Sequence, residues 1–261
     1  MENGEIMRFL MCEPKEAYFK VDDLKTHNIT QRSNKALAIS QHRSLSSLIR
    51  SLGHDVVMVE ELEGHPNSVF VKDPVCCTPN GYIKLRMGLK SRRSEEEWLS
   101  KFLDQLGIRC IGKLEAPATA EGGDIIIAEK FVFIGLSSRT NLNGAKKISE
   151  IFSNFGYKPR MVKVPSPYLH LGGAMTYIGS NKILCVDNLD GDFSDFDLLK
   201  VPSGDFISGN VIFLPFNDVI VEESNVDAIK LLKSNEFKVH SINLSEFVKG
   251  TGGPTCLIQP I

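Results

Sequence analysis

The chain has 261 residues, of which 42% are apolar and 24% charged, and its formal net charge is −2. This is a globular composition with enough apolar side chains for a sizeable core and no need of disulfide or metal staples. The near-neutral balance argues against sequence-independent nucleic-acid binding, which needs a strong basic excess, and gives an anionic membrane surface nothing to attract.

The opening stretch MENGEIMRFLMCEPK has no basic segment followed by a long apolar run, and no apolar run reaches membrane-spanning length. A cytoplasmic location is therefore expected, with Cys12, Cys76, Cys77, Cys110, Cys185 and Cys256 reduced. None of them forms a C-x-x-C pair, so no metal is expected.

Four helix-then-strand segments follow one another. LAISQHRSLSSLIRSLG leads into HDVVMVE, and SEEEWLSKFLDQLG into IRCIGKL. NGAKKISEIFSNFG leads into YKPRMVKV, and SNVDAIKLLKSNE into FKVHSINL. In the second helix Trp98, Leu99, Phe102, Leu103 and Leu106 fall at helical spacing on one face, and Ser94 with Glu97 predicts a capping box. Ala145, Ile148, Ile151, Phe152 and Phe155 make the same face in the third. Gly53, Gly107 and Gly156 stand where a helix end favours a left-handed residue.

Between these segments lie paired apolar runs: SVFVKDPVCCTPNGYIKLRM, GDIIIAEKFVFIG, GAMTYIGSNKILCVD and NVIFLPFNDVIVE. Each reads as two strands joined by a tight turn. The order strand, strand, helix, strand recurs about every fifty residues, except that the unit from Gly173 to Val201 has only DGDFSDFD where a helix would stand. About five such units fill the chain. The predicted fold is α/β, a single domain over residues 1–261 in which repeats close a propeller-like ring around a central channel. A doubly wound sheet is the alternative, and the hairpins count against it.

Several stretches place chemistry beside these runs. In NSVFVKDP, Asn67, Lys72 and Asp73 flank Val69-Phe70-Val71, read as an apolar strand. In TAEGGDIII, Glu121 and Asp124 bracket a glycine pair; in SPYLHLGGAMT, His170 precedes another. Arg139 lies between a strand and a helix, and Cys256 follows Gly252, Gly253 and Pro254 near the end of the chain. Alone, each has an ordinary reading: a solvated strand end, a hairpin start, a core histidine, a surface cap, a buried thiol. Together a cysteine, a histidine and a glutamate each adjoin a glycine pair at the edge of an apolar run, and a ring of repeats brings such edges to one channel.

The ordered set, including SRRSEEE, EAPATAEGGDIIIAEKFVFIGLSSRTN, YLHLGGAMTY, SGNVIFLP and SEFVKGTGGPTC, resembles the guanidino-group-modifying enzymes, and within them the dimethylarginine dimethylaminohydrolases and arginine deiminases. The resemblance implies a five-bladed ββαβ propeller, the pentein fold. It implies Cys256 as nucleophile, His170 as general acid and base, and Glu121 as the carboxylate beside that histidine. It further implies Asp73 as the guanidinium anchor and Asn67 as a substrate contact. Arg139 and one arginine of the SRR pair, Arg92 with Arg93 as the alternative, would grip the substrate carboxylate.

The implied activity is hydrolysis of a guanidinium C–N bond in free or N-methylated arginine, giving citrulline. Amidinotransfer and a non-catalytic binding propeller are the alternatives. No cofactor is needed, and a homodimer is implied by the resemblance alone. Two departures stand out. Gly172 occupies a position that is an aspartate in deiminases and amidinotransferases, and Lys72 replaces an acid common among the dimethylaminohydrolases. KVDDLKTHNITQRSN and SQHRS are candidate lids.

Overall fold

A computed structural model describes residues 6–261; the first five residues of the opening stretch lie outside the described residues. The chain starts with strand β1 (Arg8–Cys12), the one-turn helix α1 (Glu16–Phe19), helix α2 (Lys35–Ser51) and strand β2 (Asp55–Val59). A hairpin, β3 (Val75–Thr78) and β4 (Gly81–Lys84), then leads through α3 (Glu95–Gln105) to β5 (Cys110–Lys113). The next unit has the same order: β6 (Ile125–Ala128), β7 (Phe131–Leu136), α4 (Leu142–Asn154) and β8 (Lys158–Lys163). The one-turn helix α5 (Leu171–Ala174) opens the fourth, with β9 (Met175–Tyr177), β10 (Lys182–Val186) and β11 (Asp197–Val201). The last unit holds β12 (Val211–Leu214), β13 (Asp218–Glu222), α6 (Val226–Ser234) and β14 (Lys238–Ile242). The one-turn helix α7 (Ser245–Val248) and strand β15 (Gln259–Pro260) complete the chain.

These strands make five three-stranded sheets. In each, the middle strand pairs antiparallel with one neighbour and parallel with the other. Four sheets are built from consecutive strands. The fifth takes β15 from one end of the chain and β1 and β2 from near the other, so the two ends close the ring. Neighbouring sheets touch through β15 and β3, β6 and β9, and β9 and β12, and the second and third are linked by the bridge Arg86–Ala120. This is the five-fold propeller-like repeat expected from the sequence, and it leaves few strand edges free. No helix among the described residues is long and apolar enough to cross a membrane.

The helix predictions hold because the apolar faces are buried: Leu99 and Leu103 on α3, and Ala145, Ile148 and Phe152 on α4, are almost inaccessible. Gly53, Gly107 and Gly156 have φ of 86°, 76° and 81°, the left-handed residue each helix end requires. The fourth unit links β10 to β11 without a helix, as DGDFSDFD suggested.

Two expectations fail. Val69-Phe70-Val71 is not a strand: Pro66–Val69 forms a 3-10 turn, and the strand begins only at Val75. The run is apolar because Val69, Phe70 and Val71 fill the core under the ring, not because they pair. Ser94 does not cap α3 with its side chain. Its backbone is left-handed (φ 93°), and Glu97 reaches Lys84 at 2.8 Å instead.

Candidate active site

One pocket of about 300 Å³ is lined by Asn67, Phe70, Asp73, Arg92, Arg139, His170, Gly252 and Cys256, together with His27 and Asn28. These residues come from separate units of the ring. The first loop supplies His27 and Asn28, the 3-10 turn and loop before β3 supply Asn67 and Asp73, and the turn before α3 supplies Arg92. The loop after β7 supplies Arg139, the residue before α5 is His170, and Cys256 lies in the 3-10 turn Pro254–Leu257. Glu121 sits just behind His170, fully buried.

The glycine pairs bring these groups together. A Cβ on Gly123 would stand 2.7 Å from His170 Nδ1 and 2.9 Å from Asp73 Oδ1, and one on Gly122 would stand 2.0 Å from the Lys72 carbonyl oxygen. Only glycine lets the imidazole and the carboxylate come that close to the backbone. The Gly123 N–H in turn donates to Asp73 Oδ1 at 3.1 Å.

His170 Nε2 lies 2.8 Å from Glu121 Oε2, and its Nδ1 lies 3.8 Å from Asp73 Oδ1. Glu121 Oε1 accepts the backbone N–H groups of Gly88 (2.9 Å) and Leu89 (3.1 Å), with Arg139 Nη1 3.7 Å away. Burial alone would discharge the imidazole. The charges of Asp73 and Asp124 and the bond to Glu121 outweigh it and raise His170 to about 9. Burial would likewise protonate Glu121, but His170, Arg92 and Arg139 hold its carboxyl well below the usual range. The two directions agree on an imidazolium–carboxylate pair at neutral pH.

Cys256 is partly buried and accepts a hydrogen bond from Gly253 N at 3.4 Å. Burial and then the Asp73 charge push its thiol up to about 12, against the opposing pull of Gly253 N–H, Arg92 and Lys72. The other cysteines do not line the pocket. Burial also raises Cys76 to about 11 and Cys77 to about 12.

The two arginines differ. The Arg92 guanidinium donates to Asp73 Oδ2 (2.5 Å), to Glu95 Oε2 from Nε (2.9 Å) and Nη2 (2.7 Å), and to the carbonyls of Asn67 (3.2 Å) and Phe70 (3.1 Å). It lines the pocket but is committed to the protein, so it braces Asp73 where the resemblance implied a grip on substrate. Arg139 makes no guanidinium hydrogen bond among the described residues; its Nη1 lies 3.7 Å from Glu121 Oε1, and the residue lines the pocket. Arg93, the alternative, binds the Met87 carbonyl at 3.3 Å and does not line the pocket.

Lys72 is also absent from the lining, and its backbone N–H donates to the Cys256 carbonyl at 3.3 Å. At Gly172 a Cβ would lie 3.0 Å from the Gly123 carbonyl oxygen, so an aspartate there would crowd the backbone beside His170.

The sequence reading missed Glu95, whose place in an acidic run resembles any solvated helix start, and the wall residues Asn28 and Thr251. Asn28 Nδ2 donates to Thr251 Oγ1 at 3.0 Å, and Thr251 Oγ1 donates back to Asn28 O at 2.9 Å. Of the two lid candidates, residues 20–34 contribute His27 and Asn28 to the pocket lining; SQHRS lies within α2.

Asp73, Glu121 and His170 offer three potential metal donors within 4.8 Å of one another. Arg92 donates to Asp73 Oδ2, the Gly123 amide to Asp73 Oδ1, and the Gly88 and Leu89 amides to Glu121 Oε1, so each of these oxygens already accepts at least one hydrogen bond.

Residues 13–196 match the family model described as N,N dimethylarginine dimethylhydrolase, eukaryotic. Over 239 residues, 91% of this chain and 93% of the relative, the sequence is 28% identical to the N(G),N(G)-dimethylarginine dimethylaminohydrolase of Pseudomonas aeruginosa. The enzyme of the same name from Streptomyces coelicolor is 27% identical over 238 residues, 90% of each chain. The solved structure of a cysteine-to-serine mutant of the Pseudomonas aeruginosa enzyme complexed with citrulline superposes with a TM-score of 0.87 at 25% identity, covering 98% of this chain and 99% of that one.

Proposed function

The chain belongs to the N,N dimethylarginine dimethylhydrolase family, and from that premise we propose that it hydrolyses a guanidinium C–N bond of free or N-methylated arginine, releasing citrulline and an amine or ammonia. One observation carries this reading: Cys256, the His170–Glu121 pair, Asp73 and Arg139 surround one pocket.

Asp73 keeps lone pairs free beside its bonds to Arg92 and Gly123, and a carboxylate holds a planar guanidinium through paired charge-assisted hydrogen bonds. Arg139 takes the substrate carboxylate and Asn67 contacts its amino acid end. The bound cation makes the Cys256 thiol easier to ionise, its proton passes to solvent because His170 is already charged, and the thiolate attacks the central carbon. The His170 imidazolium gives its proton to the departing nitrogen as the C–N bond breaks, which leaves an alkylthiouronium on Cys256. Neutral His170 then takes a proton from water. The resulting hydroxide adds to the carbon, the C–S bond breaks as the new hydroxyl gives its proton to the departing sulfur, and neutral citrulline leaves with the Cys256 thiol restored. Glu121 keeps the imidazole oriented and charged between turnovers.

We read the protein as cytoplasmic and dimeric, which fractionation and sedimentation check. The functional test is incubation with arginine, monomethylarginine, dimethylarginine and agmatine, followed by a colour assay for ureido groups. Turnover of one of the first three, lost in Cys256→Ser with the fold retained, is expected. No turnover of any of the four sinks the reading.

A further inference from the structure

Asn210 takes no part in the chemistry just described, yet it lies between the two groups that do. It is buried (2% exposed) immediately before β12, in the SGN stretch. Its Nδ2 donates to the carbonyl of Gly172, two residues after His170, at 2.8 Å and to Thr255 Oγ1, beside Cys256, at 2.7 Å. Its Oδ1 accepts the Thr255 backbone N–H at 3.0 Å. Both amide hydrogens and the amide oxygen are therefore engaged.

The packing around it is equally tight. A Cβ on Gly253 would sit 2.6 Å from Asn210 Oδ1, and Gly253 is the residue whose N–H reaches Cys256 Sγ at 3.4 Å. On the other side Gly209 N donates to the Gly173 carbonyl at 2.8 Å, and a Cβ on Gly209 would meet the Ala174 backbone at 2.3 Å.

The nucleophile and the acid/base come from different sheets of the ring. His170 precedes the fourth, and Cys256 lies between the fifth and the closing strand. Among the described residues no side-chain hydrogen bond joins the two directly. We propose that Asn210 is a positioning residue, a bracket that holds the cysteine turn and the histidine turn at a fixed spacing and keeps the Gly253 N–H on the sulfur. Thr255 is its partner on the cysteine side. The asparagine amide suits this task because it offers two donors and an acceptor in one rigid plane. An aspartate would lack the donors, and leucine would lack all three.

This inference rests on the proposed roles of Cys256 and His170, so its test needs a readout that does not depend on guanidine turnover. The variants are Asn210→Leu, Thr255→Val and Thr255→Ser, with the double variant of the first two. Asn210→Leu and Thr255→Val should each lower kcat about 10- to 100-fold, the usual result of a displacement near 1 Å, with KM changed much less. Thr255→Ser keeps the oxygen and should stay near wild type. The double variant should be little worse than the poorer single one, because both break the same bracket.

The second readout is the rate of Cys256 alkylation by iodoacetamide at one fixed pH, followed by peptide mass spectrometry that separates Cys256 from the exposed Cys110. The titratable and charged groups around the sulfur and its pocket are Asp73, Arg92, Lys72, His27, Arg139 and His170, and none of them is altered. Loss of the Gly253 donor should therefore slow alkylation in Asn210→Leu and Thr255→Val and leave it unchanged in Thr255→Ser. If no guanidino compound is turned over, this rate still decides the bracket. Wild-type kcat and an unchanged alkylation rate in both variants overturn the proposal. So do effects that simply add in the double variant, or a kcat loss that vanishes on cooling below a lowered Tm.

Discussion

Replacing Glu121 with glutamine changes one charge and almost no volume, and its effect on His170 can be worked out. In the native chain the imidazolium is raised from its ordinary 6.5 to about 9 although burial opposes it. At about 1.4 kcal/mol per pKa unit, the surroundings favour the charged ring by a net amount on the order of 3 kcal/mol. The Glu121 contact is a buried charge-assisted hydrogen bond of 2.8 Å, a kind worth about 1.5–3 kcal/mol. Glu121→Gln should therefore lower the His170 titration by about one to two units, as read from the imidazole nitrogen shifts in NMR. Stability changes with it. A raised histidine contributes fully below pH 6.5, and that contribution is lost as pH rises through about 9; a depressed carboxylate contributes fully above 4.5 and loses it as pH falls. The native protein should thus lose unfolding temperature between pH 6.5 and 9, and Glu121→Gln should show a flatter curve. A variant whose His170 still titrates near 9 would refute this reasoning and leave Asp73 and Asp124 as the sole causes.

The arginines should separate by assay. Arg139→Leu should raise KM for arginine at least about 10-fold, the loss of a charge-assisted contact, while agmatine, which has no carboxylate, is little affected; equal effects on both would count against a carboxylate grip. Arg92→Leu should instead cost about 3–5 kcal/mol in urea unfolding, because Asp73 and Glu95 are then left buried without their cation. Thr251→Val removes the paired bonds to Asn28 and should speed hydrogen exchange in residues 20–34, with Tm nearly unchanged; unaltered exchange would show that the loop is held elsewhere.

The repeat was legible because it rests on local rules. Helical periodicity, turn glycines and paired apolar runs each depend on a few neighbours, and they gave the five-unit ring before any coordinates. The grouping of Cys256, His170 and Glu121 was legible for a different reason: glycine pairs mark places where the backbone must approach something, and Gly122–Gly123 does approach His170 and Asp73, whereas Asp73, Asn67 and the arginines came only with the family resemblance. What failed depends on distant partners. The apolar pattern of Val69-Phe70-Val71 is the same for a strand and for a core-filling loop. The sequence contains Arg92 and Glu95, but it does not show that Glu95, inside a run of three glutamates, turns inward to claim the guanidinium. The closing strand of two residues, β15, is too short to carry any period.

The charges at the floor of the pocket explain how a thiol that is protonated at rest can still serve as a nucleophile. Asp73 is the first charge holding the Cys256 pKa up, second only to burial, and it is also the acid that faces an arriving guanidinium. Arg92 is shared between Asp73 and Glu95, and burial raises Glu95 to about 7, so Glu95 offsets Arg92 only in part. When a cation binds there, the field that kept the proton on sulfur is offset by the charge to be attacked, and the same event brings the carbon to the sulfur. A neutral urea, the product, supplies no such charge. On this reading the acid that binds the substrate also governs when the nucleophile forms.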